Sequence, residues 1–379
     1  MNEPIALIDV KAHQAHIGDR INANIATVVE HGKWIMGPEV LAFEEAMVEF
    51  IGVEGVHALG CSNGTDALIL ALQTLGLPPR SAVICPAFTF VATAEAVAAI
   101  GGVPIFADVG SDGFNLSPES VRHALKVAEA AEIPVSGICA VDLFGVPADY
   151  DEIHKIAEDS GIWVLADAAQ AFGGEYKGTR VGGVATMTTT SFFPAKPLGC
   201  YGDGGAVFTK SSDHAEMIRS LRVHGKGSNK YDNVRIGQNA RLDTLQAAIL
   251  LPKLEIFATE LDQRDTVAAR YVEGLQGAVQ VPQVPSNSRS AWAQFTIVSE
   301  HRAAIQAALN EQNIGNAAYY PKPLHQQTGY SHYHHSEIEM SRTDWLATRV
   351  LSLPMHPYLT NQQIDRVINV VRGAVESAT

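Results

Sequence analysis

The sequence predicts an α/β fold: a large domain on a mostly parallel central sheet, followed by a smaller C-terminal α/β domain. Short apolar runs alternate with helical stretches through the first half of the chain, the pattern of strands buried on both faces and joined by helical crossovers. At 379 residues the chain exceeds what one small core organises. A long helical pattern near residues 241–275 then gives way to the loop Val281-Pro282-Gln283-Val284-Pro285-Ser286-Asn287-Ser288, which opens a second unit. The expected division is 1–245 for the large domain and 246–379 for the long linking helix and the small domain.

In order along the chain, Gly37-Pro38-Glu39 starts a helix with proline near its first turn. Its apolar positions are Val40, Leu41, Phe43, Met47 and Phe50, and Gly52 ends it. Residues 64–75 read as a second helix. Val83-Ile84-Cys85 is a short strand before a helix at 93–99, and Val103-Pro104-Ile105-Phe106 is another before a helix at 118–130. Ile138-Cys139-Ala140-Val141 precedes a helix at 150–158, and Ile162-Trp163-Val164-Leu165-Ala166 runs into Asp167. The final long helix, from Arg241 to about Leu275, carries Pro252 and is expected to kink there.

Composition narrows the function classes. With 46% hydrophobic and 18% charged residues the chain reads as globular, and no apolar stretch is long and charge-free enough to span a bilayer. Met1-Asn2-Glu3-Pro4 lacks the basic start and apolar core of a signal peptide, so a cytoplasmic location is expected. Cys61, Cys85, Cys139 and Cys200 form no Cys-x-x-Cys pair, which fits a reducing compartment better than disulfides or zinc. A net charge of −14 argues against nucleic acid but leaves an anionic small molecule open.

The chemistry centres on Lys196, in Ser191-Phe192-Phe193-Pro194-Ala195-Lys196-Pro197-Leu198-Gly199-Cys200-Tyr201-Gly202-Asp203-Gly204-Gly205. Among aromatic rings and prolines an ammonium is disfavoured, so the amine can act as a nucleophile and condense with an aldehyde, as in pyridoxal-phosphate enzymes. The competing reading is a solvated lysine in a glycine-rich loop. Asp167 falls at a strand end, where α/β sheets bind ligands; it can keep a pyridine nitrogen protonated or simply cap a helix. Gln170 can reach a ring hydroxyl or belong to polar surface. In Cys61-Ser62-Asn63-Gly64-Thr65-Asp66-Ala67, a glycine and a hydroxyl at a helix start can take a phosphate, or make an ordinary capped turn. Pro86-Ala87-Phe88-Thr89-Phe90 offers an aromatic ring for stacking or for the core. Gly237-Gln238-Asn239-Ala240-Arg241-Leu242-Asp243 supplies an amide and a guanidinium suited to anionic oxygens.

Taken in this order, the Gly-Thr turn, the Asp-x-x-Gln strand end, the Ser-x4-Lys loop and the Asn-x-Arg loop resemble the nucleotide-sugar aminotransferases of the DegT/DnrJ/StrS family. The resemblance runs from Gly32 to Pro357 and implies a fold type I pyridoxal-phosphate scaffold. It implies Lys196 as the Schiff-base and proton-carrying residue, Asp167 at the pyridinium nitrogen and Gln170 near the ring hydroxyl. Gly64, Thr65 and Ser191 would hold the phosphate, with Asn239 contributed by a second subunit of a homodimer. Phe90, rather than Phe88, would stack on the ring, and Arg241, Tyr319 and Tyr320 would meet the sugar. The segments 191–206 and 241–257 look most like members acting on a UDP-linked 3-oxo-N-acetylglucosaminuronate, with glutamate as the family's default donor and surface polysaccharide (O-antigen) as the destination. Those members have His-Tyr-Pro where this chain has Tyr319-Tyr320-Pro321.

Other readings are weaker on the residues. No Gly-x-Gly-x-x-Gly follows an N-terminal strand, against a nicotinamide enzyme. His332-Tyr333-His334-His335 lacks a partner set at ligand spacing, so no metal is expected. His224 and Cys200 read as packing residues. A catalytically silent regulator on the same fold is opposed by the intact Lys196 and Asp167. A C4 aminotransferase of 4-keto-6-deoxy sugars is the rival within the family.

Overall fold

A seven-stranded sheet organises the computed structural model, which describes residues 3–229 and 231–378. The strands are β1 (His57–Cys61), β2 (Ala82–Pro86), β3 (Val103–Ala107), β4 (Val135–Val141), β5 (Trp163–Asp167), the short hairpin β6 (Glu175–Tyr176) and β7 (Thr179–Arg180), β8 (Met187–Ser191), β9 (Gly205–Thr209), β10 (Ser288–Arg289), β11 (Phe295–Val298) and β12 (Val350–Leu353). The helices are α1 (Val10–His31), α2 (Pro38–Ile51), α3 (Gly64–Thr74), α4 (Ala92–Ala99), α5 (Pro118–Ala130), α6 (Tyr150–Ser160), α7 (Ser212–Leu221), α8 (Thr244–Leu275), α9 (Arg302–Glu311), α10 (Ser341–Ala347) and α11 (Asn361–Ala378).

The sheet order is β1-β9-β8-β5-β4-β2-β3. Neighbours from β3 to β8 run parallel, and only β9 is reversed, antiparallel to both β1 and β8. Successive residues of β2 point to opposite faces and serve different cores. Ile84 packs with Val121, Ile153 and Ile156 of α5 and α6, whereas Val83 and Cys85 pack with Leu68, Val97 and Ile218 of α3, α4 and α7. Both faces are therefore covered, which is why the strands read as near-continuous apolar runs.

The C-terminal core gathers Tyr271 and Leu275 of α8, Phe295 and Ile297 of β11, Ile305 of α9, Leu351 of β12 and Val367 of α11. Ile5, from the other end of the chain, joins it and bridges Ile314 in parallel. The linking helix begins at Thr244, three residues later than its apolar pattern suggested. Asp243 is held extended by a bridge to Ile35, and the Thr244 amide donates to the Trp34 carbonyl. A tertiary β contact thus overrides local helix preference at 241–243. Pro252 lies inside α8, where it cannot donate to the Ala248 carbonyl. Asn24 of α1 fills that gap, its Nδ2 donating to Ala248 O at 3.1 Å. Among the described residues no helix is long and apolar enough to cross a membrane.

Candidate active site

Four segments converge at the C-terminal ends of the parallel strands: the end of β5, the end of β8 with its following turn, the start of α3, and the stretch carrying Tyr319 and Tyr320. Asp167 closes β5 and is buried. Its carboxylate accepts hydrogen bonds from the Thr93 hydroxyl at 2.7 Å and from the Ala169 amide at 3.2 Å. Burial raises its pKa above the usual carboxylate range, and Thr93, the Ala169 amide and the charge of Lys196 work against that rise. Lys196 sits in the turn after β8, its backbone N–H donating to the Phe193 carbonyl at 2.8 Å. Desolvation lowers the pKa of its amine, and Asp167 opposes the drop. An amine easier to deprotonate than a free lysine thus faces a buried carboxyl whose hydrogen bonds favour its charged form.

At the start of α3, Asn63 caps the helix by accepting the Asp66 amide at 2.8 Å, leaving the Gly64 and Thr65 amides at the open end. Gly64 lies against Ser191 so closely that a Cβ added there would come within 2.8 Å of the Ser191 Cβ. Glycine at this position is what lets the helix start and the Ser191 hydroxyl share one small space. Gln170 is fixed at both ends of its amide: Oε1 accepts the Phe144 N–H at 2.6 Å, and Nε2 donates to the Tyr320 hydroxyl at 3.3 Å. Burial raises the pKa of Tyr320, so its hydroxyl stays protonated. Phe90 is about half exposed (54%) on the cavity wall, with its ring 6.2 Å from that of Tyr320, whereas Phe88 is fully buried in the core.

One cavity of about 680 Å³ is lined by Gly64, Thr65, Phe90, Asp167, Gln170, Ser191, Lys196, Tyr319 and Tyr320. Asn239 and Arg241 do not line it. Arg241 Nη2 donates to Asn239 Oδ1 at 2.7 Å, and Asn239 is exposed. Two residues that the sequence did not point to also belong to the site. Thr93 binds Asp167 from the first turn of α4, and Gln294 lines the cavity with a buried Oε1 that has no partner among the described residues.

These groups fit pyridoxal phosphate by their own chemistry. A helix N-terminus with free amides beside a hydroxyl suits a phosphate, a buried carboxylate suits a pyridinium nitrogen, and an enclosed amine suits an aldehyde carbon. The volume lies within the roughly 300–1,000 Å³ typical of small-molecule sites.

The sequence model of the DegT/DnrJ/EryC1/StrS aminotransferase family matches residues 15–372. A UDP-2-acetamido-2-deoxy-3-oxo-D-glucuronate aminotransferase of Pseudomonas aeruginosa is 44% identical over 361 residues, covering 95% of this chain and 97% of its own. A UDP-N-acetyl-3-dehydro-α-D-glucosamine 3-aminotransferase of Acidithiobacillus ferrooxidans is 38% identical, with 98% of each chain covered. Among solved structures, a DegT DnrJ EryC1 StrS aminotransferase from Brucella abortus superposes with a TM-score of 0.95 at 47% identity, over 97% of this chain and 99% of that one. With the match running through both the large and the C-terminal cores, and with the amine, carboxylate and anion cradle meeting in one cavity, the chain belongs to the pyridoxal-phosphate-dependent DegT/DnrJ/EryC1/StrS aminotransferase family.

Proposed function

We propose that this aminotransferase acts on a UDP-linked 3-oxo-N-acetylglucosaminuronate, converting the 3-oxo group to a 3-amino group with glutamate as donor. The observation that carries this reading is the near-full-length 44% identity to the Pseudomonas enzyme of that specificity. The product is a diamino sugar acid of the kind used in surface polysaccharides such as O-antigen. Four buried, unpaired cysteines fit a reducing cytoplasm as its location.

Each residue has a part in that reaction. Lys196 would hold the aldehyde carbon and would carry a proton to and from the substrate carbon. Its lowered pKa makes the amine a readier base than a solvated lysine. Asp167, whose charged form Thr93 and the Ala169 amide favour against burial, would hold a proton at the ring nitrogen. When bound, pyridoxal phosphate supplies the electron sink that makes the C–H bond at the amino-bearing carbon breakable. The Gly64 and Thr65 amides and the Ser191 hydroxyl would bind its phosphate, Phe90 would stack on the ring, and Gln170, tied to Tyr320, would lie near the ring hydroxyl.

The position of Asn239, which is exposed, and of Arg241, which is half-buried, outside their own chain's cavity supports a homodimer in which each chain completes its neighbour's site. In that arrangement Asn239 adds to the phosphate cradle, while Arg241 meets the C6 carboxylate with Tyr319 and Tyr320. A guanidinium can give a carboxylate two parallel hydrogen bonds.

The test is a comparison of UDP-3-oxo-N-acetylglucosaminuronate with its 6-hydroxy counterpart and with a nucleotide-linked 4-keto-6-deoxy sugar. The acid should be preferred. Arg241→Ala should weaken it by roughly 2–5 kcal/mol in kcat/KM, as expected for stranding a charge, and leave the uncharged sugars nearly unchanged. Preference for the 4-keto-6-deoxy sugar would move the assignment to C4 transamination.

A further inference from the structure

A second cavity, of about 250 Å³, shares only Lys196 and Ile8 of its lining with the first. Its walls come from the turn at 197–201, the start of α1, helix α8 and the segment 356–358. Helix α8 brings three charged side chains into this wall, Lys253, Glu260 and Arg264, and all three are buried. Two are cations and one is an anion, and the donors of the cations outnumber their acceptors.

Lys253 spends one N–H on the Gly199 carbonyl at 2.6 Å and lies 4.5 Å from the centre of the Tyr201 ring. Two of its three ammonium hydrogens have no hydrogen-bond acceptor among the described residues. Burial brings its pKa down to about 8, so it remains largely charged at neutral pH. Arg264 directs Nη1 at the Trp292 and Met355 carbonyls, at 3.1 and 3.5 Å, while its buried Nε has no partner among the described residues. The anions nearby are already engaged. Glu260 accepts a short hydrogen bond from the Tyr358 hydroxyl, and Asp9 caps α1 by accepting the Ala12 amide at 2.8 Å.

Buried cations with unspent donors are costly unless something accepts from them, and a carboxylate is the acceptor that matches both an ammonium and a guanidinium. The space is smaller than the roughly 300 Å³ at which sites for larger organic ligands begin, so it suits an amino acid and not a nucleotide sugar. Lys196, the residue that would hold the cofactor's aldehyde carbon, also lines both cavities. We propose that this second cavity receives a carboxylate of the amino-acid donor, with Lys253 and Arg264 as its partners. The proposal rests on the transamination reading alone and does not depend on which sugar accepts the amine.

The experiment follows the two half-reactions of the holoenzyme separately. L-glutamate is added without any sugar and loss of the cofactor's absorbance band is timed; the amino form of the enzyme is then mixed with the keto sugar. Lys253→Met should raise the glutamate concentration for half-saturation by about tenfold or more, leave the sugar half-reaction within about twofold, and be largely rescued by Lys253→Arg. Maleate, an unreactive dicarboxylate, should compete with glutamate on the native enzyme and raise its melting temperature, a shift that Lys253→Met should lose. Equal losses in both half-reactions, or undiminished glutamate saturation and maleate response in Lys253→Met, would overturn the proposal. Should Lys253→Met not fold, the native enzyme still decides, since maleate that fails to compete with glutamate overturns it as well. The donor half-reaction contains no sugar, so an error in the proposed sugar leaves this result standing.

Discussion

Thr93 gives Asp167 its shortest hydrogen bond, and its hydroxyl works against a burial that pushes the carboxyl toward its neutral form. A carboxyl whose pKa is raised loses its charge as the pH falls, and activity that needs the carboxylate is lost with it. Thr93→Val leaves desolvation less opposed, so the acidic limb of kcat/KM against pH should move to higher pH. Near neutrality the rate should drop by about tenfold or more, matching about 1.5–3 kcal/mol for a hydrogen bond to a charged group. A pH–rate profile from pH 5 to 9 checks this, and an unmoved acidic limb would separate Asp167 from the rate. Asp167, Lys196, Gly64 and Ser191 were legible in the sequence because strand ends, glycine turns and a lysine among rings carry chemistry in their local context. Thr93 was not, since a threonine in a helix 74 residues before its partner carries no local mark. The choice between Phe88 and Phe90 is likewise a matter of packing, because it depends on which ring the core takes.

At the scale of elements, strands β2 to β5 could be read because both of their faces are apolar. Strand β8, Met187-Thr188-Thr189-Thr190-Ser191, is equally buried but mostly hydroxylated, so no apolar run marks it. Helix α1 is hard to read as well, since only Ile17, Ile21 and Val28 of its 22 residues are buried, too thin a stripe to stand out. Its contribution shows instead in Asn24, which donates to the carbonyl that Pro252 leaves open. Asn24→Ala should therefore cost about 1–2 kcal/mol, the penalty of an unsatisfied, partly buried carbonyl. In a Pro252→Ala background the helix satisfies that carbonyl itself, and the same substitution should cost clearly less. A double-mutant cycle by denaturant unfolding measures the difference, and strict additivity would show that the two residues are unconnected.

For the whole molecule, the issue is what lies opposite Asn239 and Arg241. Around them the surface carries Trp34, Ile35, Val234 and Ile236, large apolar side chains that are about half exposed or more. An apolar surface next to unplaced polar groups suits a second copy better than water. On the proposed two-fold assembly, Lys196→Ala and Asn239→Ala chains should each be inactive or strongly impaired alone. Mixed and allowed to exchange, they should recover activity toward about a quarter of the native level, since half the dimers are hybrids and each hybrid holds one intact site. No recovery on mixing, or a fully active monomer, would mean that each chain completes its own site. The placement of Asn239 and Arg241 outside their own cavity carries a further consequence, one of mass action. If the neighbour is the source of these groups, the folded chain is a reactant in assembling its own catalyst. Rate per chain would then stop being a constant of the enzyme and fall with dilution, even while every chain keeps its fold and its cofactor.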